Sequence, residues 1–172
     1  MESKAKLLGH PIHPMLIVFP LGLLATSLIF DIIALAADNA TLFVASYWMI
    51  AAGVIGGLLA AIFGLVDWLA IPNKTRAKEI GLWHGIGNVI VTALFAISWF
   101  LRRPAPEHPP ATALLLSVIA VGMALVTGWL GGELVDRLGV GVDDGAHVNS
   151  PSSLSGRPAR QEDSPSDIRR VA

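Results

Sequence analysis

Cysteine is missing from all 172 residues, and charge is scarce: Asp, Glu, Lys and Arg together make up 15% of the chain. Without cysteine there is no disulfide-stapled secreted fold, no Cys-held iron–sulfur cluster, no thiolate haem and no Cys-based zinc site. A soluble domain carries about a quarter charged residues. The shortfall excludes an ordinary soluble globule, a disordered chain and a nucleic-acid binder. The scarcity is also uneven. Residues 39–66, 80–101 and 108–132 contain no Asp, Glu, Lys or Arg at all.

What is present is apolar: 53% of residues are hydrophobic and the mean hydropathy is +0.64. A helix rises about 1.5 Å per residue, so roughly 20 residues cross the hydrocarbon. Each charge-free run is long enough. A fourth span comes first in the chain, Pro14 to Ala37, apolar except for Asp31. Ala34-Leu35-Ala36 offers a small-residue cleavage site, but the stretch exceeds the roughly 7–15 residues of a leader, Asp31 interrupts it, and three spans follow. It is read as a retained span. The runs are too long for barrel strands and do not alternate.

The expected fold is an all-α membrane protein, a four-transmembrane-helix bundle over residues 1–142 with helices at about 14–37, 43–70, 81–101 and 110–134. The short link from Asp38 to Leu42 makes the first two helices an antiparallel hairpin. Pro72 ends the second, the proline-rich stretch Arg102 to Pro109 closes the third, and Gly131, Gly132, Gly139 and Gly141 loosen the end of the fourth. Residues 143–172 are rich in Ser, Pro, Asp and Arg, and a disordered cytoplasmic tail is expected there. Lys4, Lys6, Lys74, Arg76, Lys78 and Arg137 fall on one side, and only Arg102 and Arg103 on the other. The positive-inside rule then puts both termini in the cytoplasm of a prokaryotic cell, the chain being multi-pass in the inner membrane.

Two matches hint at a repeat of the helical hairpin. Leu65-Val66-Asp67 and Leu134-Val135-Asp136 lie 69 positions apart, and His13 and His84 lie 71 apart. Duplication about an axis along the membrane normal explains them; so does shared composition of membrane helix ends.

Ionisable groups within spans are costly and tend to face the bundle interior. They number six: His10, His13, Asp31, Asp67, His84 and Glu133, with the amide Asn88 one turn beyond His84. All but Asp31 fall at the cytoplasmic ends of their helices. The prolines of His10-Pro11-Ile12-His13-Pro14 favour extended histidines on a stiff segment. Imidazoles bind metals and haem iron or relay protons, and carboxylates add ligands or orient rings. Candidate metal or haem ligands are therefore His10, His13 and His84, supported by Asp67, Asn88 and Glu133. The alternative is capping and anchoring: Asp67 beside Lys74 or Arg76, Glu133 beside Arg137, and Trp68 at headgroup level. Gly53, Gly56, Gly57 and Gly64 form a small-residue face that packs helices within the bundle or seams a homodimer. Pro20 is expected to kink the first helix. No phosphate loop, serine-nucleophile motif or His-Glu-x-x-His helix occurs.

Three segments resemble a known family. Gly9-His10-Pro11-Ile12-His13-Pro14-Met15-Leu16-Ile17-Val18-Phe19-Pro20, Gly64-Leu65-Val66-Asp67-Trp68-Leu69-Ala70-Ile71-Pro72 and Gly128-Trp129-Leu130-Gly131-Gly132-Glu133-Leu134-Val135, with His84 and Asn88, are similar to the prokaryotic membrane family called domain of unknown function 2231. The likeness covers about residues 7–142. It implies a small four-helix membrane protein without an assigned reaction. It also implies a redox setting, since the domain occurs joined to Rieske-type or cytochrome-like modules. The matching positions are His10, His13, Asp67, His84 and Glu133. Where the family often has Tyr-x-His-Gly, this chain reads Asp136-Arg137-Leu138-Gly139 and lacks that histidine. The functional expectation is a haem b- or transition-metal-binding component of a membrane redox system. The alternatives are a small proton-linked transporter with Asp31 on the outer side, or a structural or assembly subunit. The bilayer is the expected partner, with a homodimer or a membrane redox partner as further candidates. A stand-alone enzyme is not expected.

Overall fold

The computed structural model describes residues 1–160. Four long helices follow a two-stranded antiparallel ribbon: β1 (Lys6–Leu7), β2 (His10–Pro11), α1 (Ile12–Ala37), α2 (Ala40–Ala70), α3 (Arg76–Arg102) and α4 (Ala111–Gly132). Each helix is long and apolar enough to cross a membrane. Their outer sides carry exposed Leu, Ile, Val, Phe and Trp at the lipid position, from Phe19 and Leu35 to Leu125 and Trp129. That distribution is the inverse of a soluble bundle, and it is what a hydrocarbon solvent requires.

The N-terminal segment, the end of α4 and the α2–α3 turn share one face of the bundle, here the terminal face. The α1–α2 and α3–α4 links share the far face. Each boundary has a local cause. Asp38 adopts a left-handed conformation at φ 50° and ends α1, and the Asn39 side chain accepts from Thr41 N–H at 3.1 Å to open α2. Ile71 is extended ahead of Pro72, which stops α2. The Thr75 hydroxyl caps α3 through Lys78 N–H at 3.2 Å. α3 thus begins five residues before the expected 81. The charged first turn, with Arg76, Lys78 and Glu79, is helical although it lies outside the charge-free run. Gly131 and Gly132 do not loosen α4. The helix runs through them into a π-helical turn, Glu133–Arg137, closed by Leu138 N–H on Glu133 C=O at 3.2 Å. Within the expected tail, residues 143–160 form turns and one short 3-10 turn, Ser153–Ser155; residues 161–172 lie outside the described residues.

The core is layered along the bundle axis. At mid-depth, Leu24, Ile50, Val91, Phe95 and Ala120 pack together, with every helix represented. Toward the far face sits a fully buried ion pair. Arg102 Nη1 and Nη2 donate to Asp31 Oδ1 and Oδ2 at 2.8 and 2.7 Å. The remaining guanidinium hydrogens go to serines: Nη1 to Ser46 at 3.3 Å, Nη2 to Ser117 at 3.2 Å and Nε to Ser98 at 3.3 Å. A guanidinium has five N–H donors, and all five have acceptors. Arg102 was expected in the outer loop; it is instead the last residue of α3, and it bonds to α1, α2, α3 and α4 at once.

A charge in lipid is tolerated only when paired, and breaking a buried pair strands its partner. Asp31→Asn should therefore lower stability in detergent by about 3–5 kcal/mol, read as a large drop in the thermal midpoint. The double exchange of Asp31→Arg with Arg102→Asp should recover part of that loss. An Asp31→Asn protein as stable as the parent would mean that the pair does not hold the bundle.

Candidate functional site

The polar residues of the terminal face fall into two sets. The first is a structural clasp. Asp67, near the end of α2, does not meet Lys74 or Arg76. Its carboxylate accepts from the Ser3 hydroxyl at 2.7 and 2.8 Å and from Lys4 N–H at 2.8 Å. The N-terminal segment is thereby pinned to α2. The Met1 ammonium donates to Gly139 C=O at 2.8 Å, and Lys6 bridges Glu2 and Asp143. The Asp143 contact holds the Lys6 ammonium above its ordinary range, and Lys6 draws Glu2 below the usual carboxylate range. Glu2 favours the clasp above the ordinary carboxylate pKa and stops doing so as pH falls through its lowered one. Lys6 favours it below the ordinary amine pKa until pH rises through its raised one. The clasp is therefore complete around neutral pH. Glu133, expected beside Arg137, pairs instead with Arg76 across the α3–α4 gap. His10 is exposed on the ribbon, 3.3 Å from the Ser153 hydroxyl. Among the described residues no three His, Asp or Glu side chains come together as a metal-holding group. The expected five-residue cluster is thus divided.

The second set lies inside the bundle. His13 is not extended as its prolines suggested; it sits in the first turn of α1, half-buried. Pro14 is accommodated there because the first-turn N–H groups have no helical acceptors to lose. His13 Nδ1 is 2.9 Å from Ala60 C=O of α2, and His84 Nδ1 is 2.8 Å from Thr127 C=O of α4. A carbonyl only accepts, so both Nδ1 atoms carry the proton. This tautomer is assigned from the bonding. It leaves both Nε2 atoms with a lone pair in the neutral rings. The two rings face each other edge-on, centroids 6.4 Å apart and planes at 83°. The Asn88 amide donates to His84 Nε2 at 3.1 Å, and its oxygen accepts from the Thr127 hydroxyl at 3.0 Å. His13 Nε2 has no partner of this kind among the described residues.

Glycines make room for the rings. A Cβ on Gly64 would come within 2.9 Å of the His13 ring, and one on Gly131 within 3.1 Å of the His84 ring. Gly53, Gly56 and Gly57 face inward too, against Leu24, Pro20 and Thr92. The small-residue face therefore meets α1 and α3, and it is not an outward seam for a second copy. The two half-sites correspond position by position. His13 and His84 are 71 apart, while Ala60 and Thr127, and Gly64 and Gly131, are each 67 apart. The Leu-Val-Asp match at 69 is not part of this correspondence, since Asp67 holds the N-terminus and Asp136 has no such role. Sequence reasoning gave Thr127 no role, read Gly131 as loosening the end of α4 and put Arg102 in the outer loop. The spacing of 71, applied to Asp31 as well as His13, points to Arg102.

The family model described as a predicted membrane protein, domain of unknown function 2231, matches residues 9–144. The chain belongs to that family. The match spans all four helices, the ribbon strand β2 and both histidines of the ring pair. No match was found among the curated proteins or the solved structures.

Gly64→Ala should push against the His13 imidazole and cost about 1–3 kcal/mol, as overpacking does. Gly122→Ala is the control, because no atom lies within 4 Å of a Cβ there. It should be neutral or slightly stabilising, by up to about 1 kcal/mol. Thermal unfolding of both variants in detergent checks this; equal effects would mean that the Gly64 contact is slack.

Proposed function

We propose that this protein is a haem-binding component of a membrane redox system, in which His13 and His84 would hold the haem. The observation that carries the reading is the adjacent imidazole pair with both Nδ1 atoms anchored on backbone carbonyls. That is the orientation found in metal-ligating histidines, the second nitrogen being held by a carbonyl. The two rings lie within 6.4 Å of each other, close enough that one group could be held by both.

Ligand number favours haem over a bare transition metal. A protein-bound metal ion needs three or four protein donors, and Asp67 and Glu133 are engaged elsewhere. Haem brings its own four nitrogens and asks the protein for two. When bound, it supplies one-electron exchange. The residues of this chain do the rest. Ala60 and Thr127 fix the rings, Gly64 and Gly131 leave them space, and the surrounding spans exclude water, which sets the potential. Asn88 must yield His84 Nε2, and its amide retains Thr127 and the His84 carbonyl as partners.

The transporter alternative draws no support from Asp31, whose charge is fully met by Arg102. A structural role is favoured by one observation, the Asn88–His84–Thr127 network that ties α3 to α4.

Purified protein, expressed with haem supplied, should show a Soret band and sharp reduced bands of a six-coordinate haem b. His13→Ala and His84→Ala should each abolish or shift them while leaving the helical circular dichroism unchanged. Absence of any Soret band in the parent protein refutes the reading.

Our reading also places the termini in the cytoplasm of a prokaryotic cell. Arg102 is buried, so among the described residues Arg103 is the one Lys or Arg left exposed on the far face, against six near the helix ends of the terminal face. The chain has no cysteine of its own. Glu107→Cys should react with an impermeant maleimide in intact cells, and Asn73→Cys only after lysis; the reverse pattern inverts the topology.

A further inference from the structure

The α2–α3 turn forms a cleft of about 630 Å³ on the terminal face that neither the clasp nor the histidine pair uses. We propose that it binds the phosphate-bearing headgroup of an anionic lipid. Three cations line it, Lys74, Arg76 and Lys78, against a single carboxylate, Glu79. Its depth in the membrane is set by its position. α2 ends and α3 begins there, both crossing helices, so the cleft lies where hydrocarbon gives way to headgroups.

The walls are of two kinds, and a lipid needs both. Lys78 Nζ lies 4.1 Å from the centre of the Trp68 ring and donates to Trp68 C=O at 2.7 Å. The indole N–H donates in turn to Lys78 C=O at 3.1 Å. A cation is thus held rigidly against an indole, the side chain that prefers the interface. Arg76 gives one nitrogen to Glu133 and keeps its other donors toward solvent, its side chain being 60% exposed. Lys74 is exposed at the tip of the turn with no hydrogen-bond or ion-pair partner among the described residues. Below these charges Leu82 lines the cleft and Trp83 stands beside it on α3, 42% and 58% exposed, continuing the apolar girth of the bundle. A free phosphate would find the cations but gain nothing from the apolar wall. An anionic lipid would use both, by the same logic that places basic pockets between transmembrane helices at the headgroups of acidic lipids.

The test uses the full chain in non-ionic detergent, titrated with phosphatidylglycerol or phosphatidylcholine of identical acyl chains and read by native mass spectrometry. Phosphatidylglycerol should be retained one-to-one, with a preference on the order of tenfold. Lys74→Gln should weaken that preference several-fold, and Glu79→Gln should strengthen it. Arg137→Gln, on the same face but outside the cleft, should leave it unchanged. Lys74 has no bond within the fold, so thermal stability without lipid reports whether Lys74→Gln is intact. Equal retention of the two lipids overturns the proposal, as does indifference to Lys74→Gln. Displacement of the lipid by millimolar inorganic phosphate as readily as by short-chain phosphatidylglycerol overturns it too, because the site would then be for an anion alone. None of these readouts depends on haem.

Discussion

The bundle depends on one guanidinium. Arg102 is completely buried, in a chain whose surroundings are hydrocarbon, and such a charge survives only if every donor is met. It is met by Asp31 on α1, Ser46 on α2, Ser98 on α3 and Ser117 on α4. Helices in lipid are not pressed together by the hydrophobic effect, since tails are as apolar as leucine. Packing and interhelical polar contacts must do that work. A five-donor group touching four helices fixes their mutual rotation. It also fixes where the serines must be, because each would otherwise be a costly hydroxyl in an apolar run.

From that fixed point the depth of everything else follows. α1 and α3 run the same way, so positions 71 apart stand at the same level. Asp31 and Arg102 share one level, Leu24 and Phe95 the next, His13 and His84 the third. The middle level is apolar on every helix. It separates the ion pair from the imidazoles. Asp31 and the histidines therefore belong to different structures, although a list of ionisable residues in the spans sets them side by side.

Much of this was legible in the residues. The charge-free runs mark the spans because lipid tolerates no stray charge, and the short Asp38-Asn39 link and Pro72 mark their ends through backbone chemistry. That His13 and His84 come to the same end of the bundle was legible too, from helix direction. What was not legible came from treating a charge as a boundary. Arg102 closes a charge-free run, so it read as a loop residue, and its partner Asp31 then read as an isolated group. Asp67 and Glu133 misled differently. Their partners, Ser3 and the main chain of residues 4–5 for one and Arg76 for the other, come from segments that no helical periodicity locates. The π-helical turn after Gly132 has no sequence signal of its own either.

The two ends of the bundle use equivalent positions in opposite ways. At the far end the 71-spaced pair is acid and base, and the two satisfy each other with the serines to the last N–H. At the terminal end the pair is two identical rings. Two neutral imidazoles with the same tautomer cannot complete each other: each spends its one N–H on a carbonyl and keeps one lone pair. One lone pair takes an amide hydrogen from Asn88, and the other takes none among the described residues. Were cohesion the only requirement, the ion pair shows how this bundle achieves it, and apolar side chains at 13 and 84 would cost less to bury. The rings stand on α1 and α3, with glycines beside them on α2 and α4. One level is internally complete and ties the four helices together; the other keeps a ring nitrogen with no hydrogen bond among the described residues.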